Sequence, residues 1–236
     1  ITAVLQDSHG RLWLGSTRNV VWSDDHPGAS TAVPGTPLSL CEDGRGDVWF
    51  GSTGGLSRYH VARGVLEPVT VGGGAGWVWA LHVDRQGRLW VGTGGGGLHR
   101  RREDGSFERF VHDASNLSSL SDDYVTSILE DRQGTLWVGT RSGGLSAFDE
   151  ATGRWTRHRP DPLHERSLSH HSVTALLEAR DGSVWVGTGG AGLNRVDRGE
   201  GTAAAFTRFS EKDGLIDDNV TSLAEDADGT LWVGTR

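Results

Sequence analysis

Apolar and polar residues alternate in short runs along this chain, and Gly, Asp and Ser interrupt the runs at close intervals. Alternation with a period of two predicts strands, and the interruptions predict tight turns. Val125–Glu130 reads as a strand rich in β-branched and apolar residues. Asp131-Arg132-Gln133-Gly134 reads as a type I turn, with Asp first to bond nearby backbone N–H groups and Gly fourth. Leu136–Thr140 follows as a second strand, with Leu136 and Val138 on one face and Trp137 on the other. Gly139 inside it predicts close approach by another backbone. Ser142-Gly143-Gly144 turns the chain into residues 145–148, and Glu150-Ala151-Thr152-Gly153 turns it again into 155–158. The result is a four-stranded antiparallel sheet. No segment holds a period of 3.6, so almost no helix is expected.

The same unit recurs as QDSHGRLWLGS, EDGRGDVWFGS, VDRQGRLWVGT, EDRQGTLWVGT, EARDGSVWVGT and EDADGTLWVGT. Its tryptophans are Trp13, Trp49, Trp90, Trp137, Trp185 and Trp232, separated by 36, 41, 47, 48 and 47 residues. A repeat of about 40 to 50 residues made of short strands specifies a β-propeller. The expected fold is all-β, a single propeller domain of four-stranded blades. The blades span about 1–36, 37–75, 76–123, 124–171 and 172–218, with half a blade at 219–236, as a piece of a seven-bladed ring. A small residue recurs on each inner strand (Ala3, Ser39, Ala80, Ser127, Ala175, Ser222), as a crowded centre requires. The chain opens and stops inside repeats, so a longer parent chain is expected, with apolar blade faces left uncovered here.

Composition narrows the partners. The net charge of −8 disfavours nucleic acid and anionic membrane, which reward clustered Lys and Arg. The run Arg100-Arg101-Arg102 reads as a solvated strand edge. Cys41 is the lone cysteine, so no intrachain disulfide forms, and its repeat position makes it a small core residue. No stretch of 18 apolar residues and no signal peptide is present, so this segment is expected to make no membrane contact.

Catalytic signatures are weak. Gly92–Gly97 and 187–192 match G-x-G-x-x-G, but a strand follows each where a dinucleotide site needs a helix, so these are hairpin glycines. The D-x-x-G turns lack the alternating carboxylates of a calcium loop. His158, His164, His170 and His171 cluster in sequence without a zinc signature and read as exposed loop histidines. No Ser/His/Asp or Cys/His arrangement stands out, and no cofactor is expected.

Geometry gives better candidates. In a four-stranded blade, the loop between strands two and three shares a face with the loop entering the next blade. That face carries Arg18, Arg141 and Arg236 just after second strands. It also carries Trp77, Tyr124, His171 and Asn219 at the start of inner strands, beside Asp122, Asp123, Asp217 and Asp218, with His170 next to His171. Trp79 stands where other repeats hold Thr or Leu, and either fills the core or walls a central pocket. Aromatic rings with Arg, Asp and His suit a sugar or another small polar ligand, because rings stack on apolar sugar faces and charged groups take the hydroxyls or carboxylates.

These residues resemble the two-component regulator propeller repeat over essentially the whole chain. The resemblance rests on the six D-x-x-G-x-[LV]-W-x-G-[ST] strings, on third strands such as Gly55-Leu56-Ser57-Arg58-Tyr59, and on loops such as Ser118-Ser119-Leu120-Ser121-Asp122-Asp123. Ala179 departs from it, replacing the turn Asp of the fifth repeat, and the first blade is short. The resemblance implies the extracytoplasmic, periplasmic sensor part of a bacterial inner-membrane receptor. It implies an absent downstream output, a histidine kinase or diguanylate cyclase, a homodimer formed through the full-length receptor, and an oligosaccharide as the class of ligand. The ligand-binding set expected from the blade geometry is Arg18, Trp77, Trp79, Asp123, Tyr124, Arg141, His170, His171, Asp218 and Asn219, with no catalytic or metal-ligating residue. Two other readings stand beside it: a metal-dependent lyase or hydrolase resembling streptogramin lyases, and a protein-interaction scaffold.

Overall fold

Each D-x-x-G turn reverses the chain so that the strands on either side pair antiparallel, and everything else is built on that hairpin. The structure, a computed structural model, describes residues 1–17, 19–22, 30–74, 76–197 and 204–236. It divides into two compact units, residues 1–110 and 111–236.

The first unit holds three four-stranded sheets, each in sequential order. They are β1 (Ala3–Gln6), β2 (Leu12–Gly15), β3 (Asn19–Trp22) and β4 (Ser30–Ala32); β5 (Pro37–Glu42), β6 (Val48–Ser52), β7 (Gly55–His60) and β8 (Val65–Val69); and β9 (Val78–Val83), β10 (Leu89–Thr93), β11 (Leu98–Arg101) and β12 (Phe107–Phe110). The second unit holds β13 (Val125–Glu130), β14 (Leu136–Thr140), β15 (Leu145–Asp149) and β16 (Arg154–His158), then β17 (Val173–Glu178), β18 (Val184–Thr188), β19 (Leu193–Asp197) and β20 (Ala205–Phe209). A two-stranded sheet of β21 (Val220–Glu225) and β22 (Leu231–Thr235) follows. The only helical turn among the described residues is a 3-10 segment at Glu211–Asp213. The fold is therefore the all-β blade architecture of a propeller.

The core lies between successive blades. Trp13 packs against Val48, Phe50 and Tyr59 of the next blade. Trp49 packs against Val78, Leu89 and Val91, and Trp137 against Val173, Val184, Val186 and Val196. Thus the residues flanking Trp49, Trp90 and Trp185 face the preceding blade, and Trp13, Trp49 and Trp137 face the following one. Trp232, at the last sheet, is 62% exposed, whereas Trp13 is fully buried. Cys41 is partly buried against the second of these clusters, and burial raises the pKa of its thiol.

The conserved-looking carboxylate of the turn does more than close it. Asp131 Oδ1 accepts the backbone N–H groups of Gln133 and Thr135, at 2.9 and 3.0 Å, while Oδ2 accepts the Trp137 indole N–H at 2.6 Å. Asp7, Asp43, Asp84 and Asp226 hold Trp13, Trp49, Trp90 and Trp232 in the same way. Burial alone raises the pKa of Asp84, but the Trp90 indole, the Arg88 backbone N–H and the Arg88 guanidinium together keep it below its ordinary value. The acidic residue before the turn reaches backwards: Glu42 accepts from Ser8 N–H of the first blade, Glu178 from Arg132 N–H of the fourth, and Glu225 from Arg180 N–H of the fifth. The G-[ST] ending closes the next hairpin, where Thr140 Oγ1 donates to the Gly144 carbonyl at 2.9 Å and Thr93 Oγ1 to that of Gly97 at 2.7 Å. The G-x-G-x-x-G strings are these hairpins.

The small inner-strand residues face the strand-two glycines: Ser39 opposes Gly51, Ser127 opposes Gly139, and Ala175 opposes Gly187. A Cβ on Gly139 would lie 2.5 Å from Val173 Cγ1 of the next blade and also meet Ser127 Oγ. The neighbours that exclude a side chain are thus the side chains of Ser127 and Val173 rather than backbone. Gly139→Ala is expected to destabilise the chain by about 2 kcal/mol through overpacking. At Gly44, where a Cβ meets nothing within 4 Å, the same change should be near neutral. Thermal melts of the two variants check the contrast, and equal melting temperatures would refute it.

Candidate functional site

The loops entering the fourth and fifth blades run over those blades' own outer strands, and an arginine on each of those strands holds the loop. Arg157 on β16 donates from Nε to the Ser119 carbonyl and from Nη2 to the Asp113 and Asn116 carbonyls. Arg208 on β20 does the same for the next loop, donating to the carbonyls of Ser167, His164 and Leu168. Arg109 on β12 donates to the Gly96 carbonyl. Sequence reasoning passed over these arginines; their signal was the recurring R-F, R-H or R-F ending of the fourth strand.

The anchored loop ends on a residue beside the next hairpin. Arg141 N–H donates to the Tyr124 carbonyl at 3.0 Å, Gly94 to Trp77 at 2.9 Å, Gly189 to Ser172 at 3.0 Å, and Arg236 to Asn219 at 3.2 Å. The third to sixth blades therefore each present a side-by-side pair at this end. In the fourth blade the pair is Tyr124 with Arg141, whose exposed guanidinium lies 5.0 Å from the tyrosine ring centroid. In the third it is Trp77 with a glycine. Trp77 is 50% exposed and its ring lies 5.8 Å from that of Trp79, which is partly buried.

The predicted carboxylates serve the loops. Asp122 Oδ1 accepts Tyr124 N–H and Oδ2 accepts Ser142 N–H, which fixes the Tyr124–Arg141 pair. Asp123 accepts His112 N–H at 2.6 Å, and Asp218 accepts Glu211 N–H at 2.8 Å. Asp217 caps Asn219 N–H. His170 replaces the capping Asp, its Nδ1 accepting Ser172 N–H at 3.1 Å, which leaves the proton of the neutral ring on Nε2.

His171 lies one position earlier than the alignment with Tyr124 predicts, because Ser172 takes that place. It remains on the face: its carbonyl accepts Gly144 N–H, its side chain is exposed, and its ring lies 6.5 Å from that of His170. Arg18 lies outside the described residues. Tyr124, Arg141, His170 and His171 thus share one face of the second unit, with Asp123, Asp218 and Asn219 in its loops; Trp77 and Trp79 stand in the first unit.

The histidine cluster disperses. His158 is not an exposed loop residue: it lies on β16, 8% exposed, its ring 5.8 Å from that of Trp137 and 5.5 Å from that of Phe206. Burial pushes its pKa down to about 4. His164 is exposed and bonds Asp161. Among the described residues no group of three His, Cys, Asp or Glu side chains is placed to hold a metal ion. No helix among them is long and apolar enough to cross a membrane.

In the first unit a cavity of about 380 Å³ opens on the same face as Trp77, lined by Leu56, Val69, Val71, Val78 and the glycines of two loops. Its walls are apolar side chains and backbone, a surface for a ring rather than for a charge.

The sequence profile of the two component regulator propeller matches residues 1–18, 72–95, 119–142, 167–190 and 214–236. No curated protein matches the chain in sequence. Among solved structures, the chain is similar to an extracellular domain assigned to a hybrid two-component system of B. thetaiotaomicron, with 22% identity and a TM-score of 0.79, over 99% of this chain and 31% of that one. Virginiamycin B lyase from Staphylococcus aureus is similar with 14% identity and a TM-score of 0.75, over 99% of this chain and 77% of the enzyme. PorZ, a surface component of the type-IX secretion system of Porphyromonas gingivalis, is similar with 18% identity and a TM-score of 0.73, over 97% of this chain and 38% of that one.

Proposed function

The repeats of this chain belong to the two-component regulator propeller family, and from that premise we propose that it is the ligand-binding part of an extracytoplasmic sensor. It binds a small polar ligand, an oligosaccharide by class, on the face of the entering loops, and does no chemistry on it. The observation that carries this reading is the Tyr124–Arg141 pair. An aromatic ring and an exposed guanidinium are held together on loops that Asp122 and Arg157 fix beforehand. Such a pair offers a stacking face and a planar donor fork without ordering cost at the moment of binding. The chain spans 31% of the two-component relative. On this proposal the output that reads the ligand, a kinase or a cyclase, and the homodimer that transmits it are the work of other parts of such a receptor. The periplasmic setting belongs to the same proposal.

The test is a thermal-shift panel of neutral and acidic oligosaccharides. A ligand at 100 times its Kd stabilises the folded state by about 2.7 kcal/mol. The expected result is a shift with at least one sugar that disappears in the Tyr124→Ala/Arg141→Ala double variant. A shift that survives in that variant would overturn the assignment of the face. The likeness to virginiamycin B lyase gives a second reading, a lyase-type enzyme; stabilisation by a divalent metal alone would favour it.

A further inference from the structure

Where the second and third blades meet, at the end opposite the loop face, the repeat breaks its own rule twice. The first break is at Val83. In the second, fourth, fifth and sixth repeats this position holds a glutamate, and Glu42, Glu178 and Glu225 each bond the turn of the preceding blade. Val83 has no carboxylate to offer. The second is at Arg101. The equivalent third-strand residues are Tyr59, Phe148 and Val196, all buried. Tyr59 and Val196 pack on the tryptophan of the preceding blade. Arg101 occupies that apolar position, with its guanidinium 5.5 Å from the Trp49 ring centroid. The expectation of a solvated strand edge at 100–102 is therefore wrong for Arg101, which is partly buried.

The two exceptions open a cleft of about 490 Å³. Arg45, Arg58, Arg88, Arg101 and Arg102 line it. Asp43 and Glu103 line it as well, and from just outside it Asp47 pairs with Arg58 at 3.0 Å and Asp84 with Arg88 at 2.7 Å, which leaves Arg45 and Arg101 as the uncompensated cations. Asp43 is already engaged by the Trp49 indole and by Arg58 Nη2, at 2.9 and 3.0 Å. Arg101 Nε and Arg58 Nε are buried without a hydrogen-bond partner. Among the described residues, Arg45 and Arg101 make no ion pair. The matching cleft between the fifth and sixth sheets, lined by Arg180 with Asp181, Glu225 and Asp228, has the opposite balance.

A chain of net charge −8 that gathers cations in a cavity, with buried guanidinium N–H groups unsatisfied, lacks an anion there. We propose that this cleft is a second ligand site, one for a small organic or inorganic oxyanion, with Arg101 as its central anchor. The planar fork of Arg101, braced on Trp49, takes a carboxylate, sulfate or phosphate bidentately. Arg45 and Arg102, both exposed, supply the rim that attracts it. The cleft volume admits a ligand of sugar-acid size.

Calorimetric titration of the chain with D-glucuronate, with inorganic phosphate and with uncharged glucose at low, matched ionic strength tests this. Saturable binding of at least one oxyanion is expected, with none for glucose. Glucuronate without phosphate would identify a sugar acid; phosphate would identify the simple tetrahedral anion. Arg101→Tyr, which places there what the second blade has at Tyr59, should fold and weaken binding at least tenfold. Arg45→Ala, at an exposed position, should weaken it with the melting temperature unchanged, and serves if Arg101→Tyr does not fold. Tyr124→Ala/Arg141→Ala should leave it unchanged, which separates this site from the loop face. No oxyanion binding by the unmodified chain, or equal binding by Arg101→Tyr, would overturn the proposal.

Discussion

Asp131→Ala lowers the stability of this chain by about 4 kcal/mol, the sum expected when one buried acceptor leaves three donors without partners at about 1 to 2 kcal/mol each. The donors are the N–H groups of Gln133 and Thr135 and the Trp137 indole. Asp131 is fully buried and Trp137 is 4% exposed, so water replaces the lost bonds poorly. The indole also anchors the layer between the fourth and fifth blades, so the loss spreads into both. In a domain of this size each kcal/mol moves Tm by about 2 to 4 °C, which puts the fall near 8 to 16 °C. The fifth blade is the internal control, because Ala179 stands at the turn position there and Trp185 has no turn carboxylate of this kind. Mutating Ala179 to Gly should therefore cost far less than Asp131→Ala. Chemical denaturation of both variants decides it; a cost under about 1 kcal/mol at Asp131 would mean that the Asp–Trp bond does not organise the blade.

Acid destabilises the chain over a window set by two histidines. His99 is fully buried, and its pKa is pushed down to about 4, first by burial and then by the nearby charge of Arg109, against the Gly96 backbone, which raises it. His158 is pushed down to about 4 by burial. Both are neutral in the folded state, whereas in the unfolded chain they titrate near 6.5. Between pH 6.5 and 4 the unfolded chain binds protons that the folded chain does not, so stability is complete above 6.5 and falls as pH drops through the window. A shift of this size is worth about 3 kcal/mol per histidine at most. Carboxylates such as Asp84, held below their ordinary range, lose their contribution only at lower pH. The variants His99→Ser, copying Ser57 and Ser146 of other blades, and His158→Leu should together flatten the curve between pH 6.5 and 4.5. An unchanged slope in the double variant would refute the assignment.

The blades were legible because period-two alternation and a repeated Trp leave little choice of strand and face. The hairpin glycines were legible too, since a strand rather than a helix follows them. The indole bond was harder to see. It joins residues six apart across a turn, a distance that strand periodicity does not bring together but the hairpin does. His158 was misread because it ends a variable strand, and the packing of Phe206 from the next blade reveals that it is buried. His171 was misplaced by one position although the entering loops 111–124 and 159–172 are equal in length; counted back from Val125 and Val173, Ser172 matches Tyr124 and His171 matches Asp123. The roles of Asp123, His170 and Asp218 were obscured for another reason. A carboxylate or imidazole on a loop looks the same in sequence whether it faces a ligand or bonds a backbone N–H. Arg101 needed the comparison of blades in space, where an arginine at an apolar position becomes conspicuous.

A sensor propeller of this kind binds its ligand on the loop face without reacting with it. The decisive measurement is a calorimetric titration of the chain with the oligosaccharide that shifts its melting, followed by mass analysis of the recovered sugar. Saturable binding that is lost in Tyr124→Ala/Arg141→Ala, with the sugar recovered intact, is the predicted result. Conversion of the sugar, or binding indifferent to both substitutions, would contradict it.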